Sequence, residues 1–172
     1  TPQRSHAVEA ATPSFLDDAP PSTGAQRLFD DDVRGLGYVM NTSKVWAHDP
    51  AALERLSEFL GHVVEAGALT FRQRAILVTA CASALGDSYC SLAFGTKLAA
   101  LGGADLAASV LTGADEAVSG PDRALARWAR QVVRDPNGIT AADVDTLRTA
   151  GYDDGQVFAS PSSSPCGRPS PP

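Results

Sequence analysis

The sequence predicts an all-α domain with an irregular segment at each end. Two observations support this: apolar residues between about 26 and 158 recur with helical spacing, and no stretch shows the period-two alternation of a strand. Pro, Gly and capping residues also separate each apolar run from the next. We therefore predict a disordered arm over 1–25, a helical domain over 26–158 and a disordered Pro/Ser-rich tail over 159–172.

Composition and charge limit the partners. The 172 residues are 44% hydrophobic and 20% charged with a net charge of −6, so nucleic acid and anionic membranes are not expected as partners. The longest apolar run, 75–85, is too short for a bilayer, and the N-terminus lacks a signal-peptide pattern. The three cysteines show no metal-type spacing, and no phosphate loop or dinucleotide motif is present. We expect a cytoplasmic protein with no metal and no cofactor.

The first well-marked helix follows 46-WAHDP-50. Asp49 is a suitable N-cap, and Pro50 suits the first helical position because its missing N–H needs no partner there. The helix should end near Gly67. Six apolar residues lie on one predicted face: Leu53, Leu56, Phe59, Leu60, Val63 and Val64.

The next two helices form the predicted centre of the domain. Thr70 and Gln73 have the spacing of a capping box, and residues 75–85 are apolar on nearly every face, which indicates a buried helix. Gly86 can end this helix in a left-handed conformation. Asp87 is the predicted N-cap of the following helix, which ends at Gly102 and Gly103.

Three further elements complete the prediction. Residues 104–112 form a short helix, residues from Ser119 to Asp135 a longer one, and residues from Thr140 to Ala150 another that Gly151 closes. The buried face of the middle helix is predicted as Leu125, Trp128, Ala129, Val132 and Val133. Val157 and Phe158 resemble the start of a helix that the Pro/Ser tail cannot continue. We expect either a truncation or altered reading frame there, or a natural disordered tail.

Cys90 is the strongest candidate for a chemically reactive side chain. As the third residue of its helix it lies near the positive end of the helix dipole, which favours a thiolate. Asp87, within one turn, opposes a second negative charge, and burial opposes it further. A reactive thiol and an inert packing residue both remain open from the sequence.

Other polar residues are predicted to be solvent-exposed or lack supporting context. We expect the acidic run over 30–32 to be an exposed loop and the arginines of the Ser119–Asp135 helix to form a solvated face. The histidines at His48 and His62 are expected at the surface, whereas His6 lies in the arm and Cys166 in the tail. The arginines of the Ser119–Asp135 helix are Arg123, Arg127, Arg130 and Arg134.

Three stretches resemble the carboxymuconolactone decarboxylase/alkylhydroperoxidase D-like superfamily, especially its peroxidase-related branch. They are 37-GYVMNTSKVWAHDPAALERL-56, 72-RQRAILVTACASALGDSYC-90 and 126-ARWARQVVRDPNGITAADVDTLRTAGYDD-154. The resemblance covers about 120 residues, from near Leu28 to Phe158. It implies an alkylhydroperoxidase D-like helical bundle that forms homo-oligomers, here with the final family helix missing.

The resemblance also implies a catalytic set that this sequence keeps only in part. The family's Glu, first Cys and His fall on Ala75, Asp87 and Phe94, while the second Cys, the one that attacks the hydroperoxide, is Cys90. We therefore assign Cys90 and Asp87 to the candidate catalytic site. We expect Phe94, Ala75 and Tyr89 to form its pocket wall.

Three functions compete on these grounds. The first is thiol-dependent hydroperoxide reduction by Cys90 with an external thiol as reductant, because no cysteine stands at position 87 to resolve a sulfenic acid. The second is a catalytically silent helical oligomer that binds a small apolar ligand or a protein partner. The third is a non-redox enzyme of the lactone decarboxylase type, which needs acid/base groups in the pocket.

Overall fold

The computed structural model describes residues 16–114 and 117–162, with side chains through residue 160. Its α-helices, in order, are Thr23–Leu36 (α1), Asn41–Trp46 (α2), Pro50–Ala66 (α3), Phe71–Leu85 (α4), Ser88–Gly102 (α5), Ala104–Thr112 (α6), Gly120–Arg134 (α7), Ala141–Thr149 (α8) and Asp154–Ser162 (α9). A 3₁₀ turn over Pro136–Gly138 precedes α8. Because the described residues contain no strand, the predicted all-α class is confirmed.

Contacts between residues divide the chain into two compact units. The boundary lies between Arg55 and Leu56, inside α3.

In the first unit, α1 begins at Thr23, within the segment predicted as an arm. It begins there because the Ser22 hydroxyl accepts the Ala25 N–H at 3.1 Å and caps the helix.

The acidic run at 30–32 differs from the prediction of an exposed loop, because it forms part of α1. Asp32 is buried, and its carboxylate accepts the backbone N–H of Met40 at 3.0 Å. Gly37 ends α1 in a left-handed conformation with φ of 83°, so the chain turns back and brings Met40 to Asp32. This contact gives a buried backbone donor a hydrogen-bond acceptor.

In the second unit, α4 is the central helix, as predicted. Every residue from Ala75 to Ala82 is buried, and α4 packs most extensively against α5 and α7. The salt bridge from Arg72 to the largely buried Asp122 joins α4 to α7 at 3.0 Å. Both predicted helix starts on this hairpin are present, the Thr70–Gln73 capping box on α4 and the Asp87 cap on α5.

One predicted surface arginine is a core residue. Arg130 in α7 is buried and donates from Nη2 to the carbonyl oxygen of Val110 at 2.8 Å. That carbonyl belongs to the last turn of α6, where backbone acceptors lack helical partners. The guanidinium therefore closes the C-terminal end of α6. Arg127 and Arg134 are exposed, as predicted.

The end of the described chain is helical, which corrects the expectation that no packed helix forms after Phe158. Helix α9 continues to Ser162, Ala159 is fully buried, and the Trp128 indole donates to the Ser160 hydroxyl at 2.7 Å. Gly67 allows this packing, because a Cβ at position 67 would overlap the Cβ of Ala159. The predicted tail beyond this helix, with Cys166, lies outside the described residues.

Within the part of the chain described, no helix is long and apolar enough to cross a membrane.

Candidate functional site

The site is built on the hairpin of α4 and α5, which two residues connect. Gly86 adopts a left-handed conformation with φ of 72°, its N–H reaches Ser83 O, and the Asp87 N–H reaches Ala82 O at 2.9 Å. This pair of bonds is a Schellman motif, which closes the C-terminal end of α4. Two packed helices with so short a connection run antiparallel.

Asp87 then starts α5. Its carboxylate accepts the backbone N–H of Cys90 at 3.0 Å, the capping contact that the sequence predicted. The cap fixes Cys90 as the third residue of α5. It also places a negative charge within one turn of the thiol, which disfavours ionisation of that thiol.

Cys90 lies in a small apolar cluster that is separate from the main core. The cluster consists of Val78 and Ala82 on α4 and Cys90 on α5, with the half-buried Phe94 packed against it. Cys81, by contrast, belongs to the main core, where its thiol donates to Ala129 O at 3.5 Å. The two thiols are equally buried, each 4% exposed, in different surroundings.

The structure brings together three of the five predicted site residues. Asp87, Cys90 and Phe94 lie along the first two turns of α5, with Asp87 bonded to the Cys90 backbone and Phe94 packed on the cluster. Ala75 is fully buried in the main core and therefore has no surface that a ligand could contact. Tyr89 is half-exposed and does not belong to the Cys90 cluster.

Two cations extend this site along the hairpin. The Lys97 ammonium lies 4.7 Å from the centre of the Phe94 ring, within the range of a cation–π contact. Partial burial lowers the pKa of Lys97, and the nearby Arg74 guanidinium lowers it further. Burial also lowers the pKa of Arg74.

The site predicted from the sequence included neither Lys97 nor Arg74. The spacing of residues along the antiparallel hairpin could have indicated that both cations lie near Cys90. Moving back along α4 from Ala82 to Val78 to Arg74 matches moving forward along α5 from Cys90 to Phe94 to Lys97. Each step is one helical turn, so the cysteine, the aromatic ring and the cations share one face of the hairpin.

The residues present limit what the site can do. In the described ranges, no group of three or more His, Cys, Asp or Glu side chains could hold a metal ion. The two histidines described, His48 and His62, are exposed and outside the cluster. The site therefore offers one thiol, one carboxylate and two cations around an apolar centre.

Comparisons with known proteins identify the fold. No protein-family model matches the chain, and no curated protein sequence matches it. A solved structure of an uncharacterised peroxidase-related protein from Silicibacter sp. TM1040 aligns with a TM-score of 0.75 at 21% identity, over 90% of this chain and 83% of that one.

A second solved structure aligns with this chain over the same kind of helical fold. The alkylhydroperoxidase AhpD core of an uncharacterised peroxidase-related protein from Ralstonia eutropha JMP134 aligns with a TM-score of 0.68 at 24% identity. It covers 83% of this chain and 76% of the other. The chain has the helical fold of the AhpD-like peroxidase-related proteins.

Proposed function

We propose that this protein reduces hydroperoxides through the single thiol of Cys90, with an external low-molecular-weight or protein thiol as reductant. The observation that most supports the proposal is the position of Cys90. It lies on the α4–α5 hairpin of a fold shared with peroxidase-related proteins, capped at its backbone by Asp87 and packed beside Phe94.

The proposed reaction is a two-electron oxidation of sulfur. The Cys90 thiolate attacks the terminal oxygen of ROOH, the O–O bond breaks, and RO⁻ takes a proton from water to leave as ROH. Cys90 becomes a sulfenic acid. An external thiol then displaces water to form a mixed disulfide, and a second external thiol releases the Cys90 thiol as an external disulfide forms.

An external reductant is proposed because the two described thiols lie in different apolar clusters. Cys81 lies in the main core, where it donates to Ala129 O between α4 and α7. Cys90 lies in the separate cluster with Val78 and Ala82. We therefore propose an external thiol, and not Cys81, as the group that reduces the sulfenic acid.

Sulfenic-acid trapping tests the proposal. The protein is titrated with cumene hydroperoxide in the presence of dimedone, and peptide mass spectrometry measures adducts at each cysteine. Cys81 is a matched internal control, because it is as buried as Cys90. We expect adducts at Cys90 well before Cys81, and their loss in Cys90→Ser. Equal rates at both thiols would contradict the proposal.

A specific observation favours a second candidate, a catalytically silent binding protein. Cys90 is 4% exposed, in an apolar cluster with a carboxylate one turn away, and these features suit a packing residue. If Cys90 reacts no faster than Cys81, this candidate replaces the first. Thiol-dependent turnover of hydroperoxide that is lost in Cys90→Ser excludes it.

A further inference from the structure

Two half-buried cations on the α4–α5 hairpin have no acidic partner. Arg74 makes no side-chain hydrogen bond or ion pair within residues 16–114 and 117–162, and its Nε is buried without a partner there. Lys97 makes no ion pair within the same ranges, and its contact is with the Phe94 ring. Four arginines do pair with an aspartate or glutamate in these ranges: Arg27, Arg34, Arg72 and Arg148.

The two cations are neighbours across the hairpin. Arg74 lies one turn before Val78 on α4, and Lys97 lies one turn after Phe94 on α5, at the same antiparallel register. They are close enough that the charge of Arg74 lowers the pKa of Lys97. The apolar cluster around Cys90 thus continues into a pair of positive charges.

This arrangement is unfavourable unless an anion completes it. Like charges in partly buried positions repel each other, and an arginine Nε buried without an acceptor keeps its desolvation cost. The chain carries 20 acidic residues against 14 basic ones, so acidic partners are plentiful elsewhere. Their absence beside Arg74 and Lys97, within the residues described, leaves the position open to an external anion.

Apolar side chains surround the charges. The Phe94 ring lies beneath the Lys97 ammonium, and one turn farther along each helix are the half-exposed Phe71 and Leu101. The N-terminus of α4 is occupied by its own Thr70–Gln73 capping box. The position thus offers two cationic side chains and apolar walls.

We propose that Arg74 and Lys97 bind the carboxylate of an amphipathic acid, whose apolar part lies along Phe94, Phe71 and Leu101. The guanidinium and ammonium donate charge-assisted hydrogen bonds to the two carboxylate oxygens, and the hydrocarbon covers the exposed rings. This goes beyond the proposed function, since it needs no reaction at Cys90.

Calorimetric titration with sodium octanoate, at constant ionic strength, tests the proposal. Lys97→Met and Arg74→Met keep the apolar stem and remove the charge. Lys44→Met is the matched control, because Lys44 is the only other lysine and is exposed on α2. We expect each site variant to weaken octanoate binding about tenfold, the equivalent of about 1.4 kcal/mol, with no change in Lys44→Met. Cys90→Ala should bind as the unaltered protein does.

Octanoate that binds Lys97→Met and the unaltered protein equally would overturn the proposal. So would 1-octanol binding as tightly as octanoate, which indicates an apolar groove, or inorganic phosphate competing as well as octanoate, which indicates a general anion site. A second readout is nuclear magnetic resonance, which does not depend on heats of binding. With lysine labelled with ¹³C only at Cε, the two lysines, Lys44 and Lys97, give one signal each. Octanoate should raise the titration midpoint of Lys97, since a bound carboxylate favours the charged ammonium.

Discussion

Asp87 serves as a helix cap and as a negative charge near Cys90, and substitution can separate the two effects. Asp87→Asn keeps an oxygen that can accept the Cys90 N–H but removes the charge. We expect iodoacetamide to alkylate Cys90 about fivefold faster in this variant at neutral pH, since removing a nearby charge is worth about 1 kcal/mol in thiolate formation. Cys81 in the same protein is the control, and its rate should not change.

Asp87→Ala removes the cap as well as the charge. We expect it to lower the free energy of unfolding by about 1 kcal/mol, measured by urea denaturation, while Asp87→Asn stays close to the unaltered protein. If both variants lose equal stability, the carboxylate itself is required at this position, and the alkylation comparison would have to be repeated on variants of matched stability.

Tyr152 gives the protein a pH-dependent stability at high pH. Burial raises the pKa of Tyr152, and the Asp122 carboxylate adds to the effect. In the unfolded chain a tyrosine ionises near pH 10, so above that pH the unfolded state releases a proton that the folded state retains. The stabilising contribution is complete below about pH 10 and is lost as the pH rises through the folded pKa.

We therefore expect urea denaturation between pH 9 and 11.5 to show a decline in stability that Tyr152→Phe reduces. The difference in slope is at most about 1.4 kcal/mol per pH unit, the value for one proton. Tyr89→Phe is the control, because Tyr89 is half-exposed. Parallel declines in Tyr152→Phe and the unaltered protein would show that another group is responsible.

At the scale of elements, Arg130 joins α6 to α7. Its guanidinium donates to Val110 O at the end of α6, in a buried position, so Arg130→Met leaves a buried carbonyl without this donor. We expect a loss of about 2 kcal/mol in unfolding free energy. Arg134→Met, on the exposed part of the same helix, should change stability by less than about 0.5 kcal/mol. Similar losses in both variants would contradict the capping role.

The close packing of α9 against residue 67 depends on the absence of a side chain at Gly67. A Cβ there would overlap Ala159, so Gly67→Ala should cost about 1–3 kcal/mol, measured by thermal or urea unfolding. Gly61→Ala is the control in the preceding helix, where no atom lies within 4 Å of the added Cβ, and it should be neutral or stabilising. If the overlap is the cause, adding Ala159→Gly to Gly67→Ala should recover part of the loss.

These elements also explain what the sequence could and could not predict. The caps at Thr70, Asp87 and Gly86 depend on residues at most five apart, and all were predicted correctly. Arg130 and Val110 are 20 positions apart, and Trp128 and Ser160 are 32 apart, so no local pattern indicates these contacts. The helix at residues 159–162 was not predicted for this reason: Ala159 and Ser160 pack against distant residues, despite the unfavourable composition of this segment.

In the candidate site, the features that depend on residues close together in the sequence were again the ones that could be predicted. The Cys90 position and its Asp87 cap follow from the sequence of one helix start. The separation of Ala75 from the Cys90 cluster, and the pairing of Arg74 with Lys97, depend on which face each helix turns to its neighbour. That choice is made by packing of the whole second unit.

At the scale of the whole molecule, exposed apolar side chains on α5 bear on the predicted homo-oligomer. Leu92 is 72% exposed, and the half-exposed Tyr89 lies three residues earlier, on the same face of the helix. Contiguous exposed apolar side chains favour association between proteins. The symmetric contact of two such faces would bury both side chains in each copy.

We expect Leu92→Glu to shift the protein toward monomer in sedimentation velocity, because the new carboxylates would face each other across that contact and lose hydration. Val33→Glu is the matched control: it adds the same charge at an exposed apolar residue of α1, in the other unit, and should leave the oligomeric state unchanged. A monomeric unaltered protein would contradict the predicted oligomer. An oligomer insensitive to Leu92→Glu would place its interface on a different surface. Dissociation in both Leu92→Glu and Val33→Glu would indicate a general effect of charge.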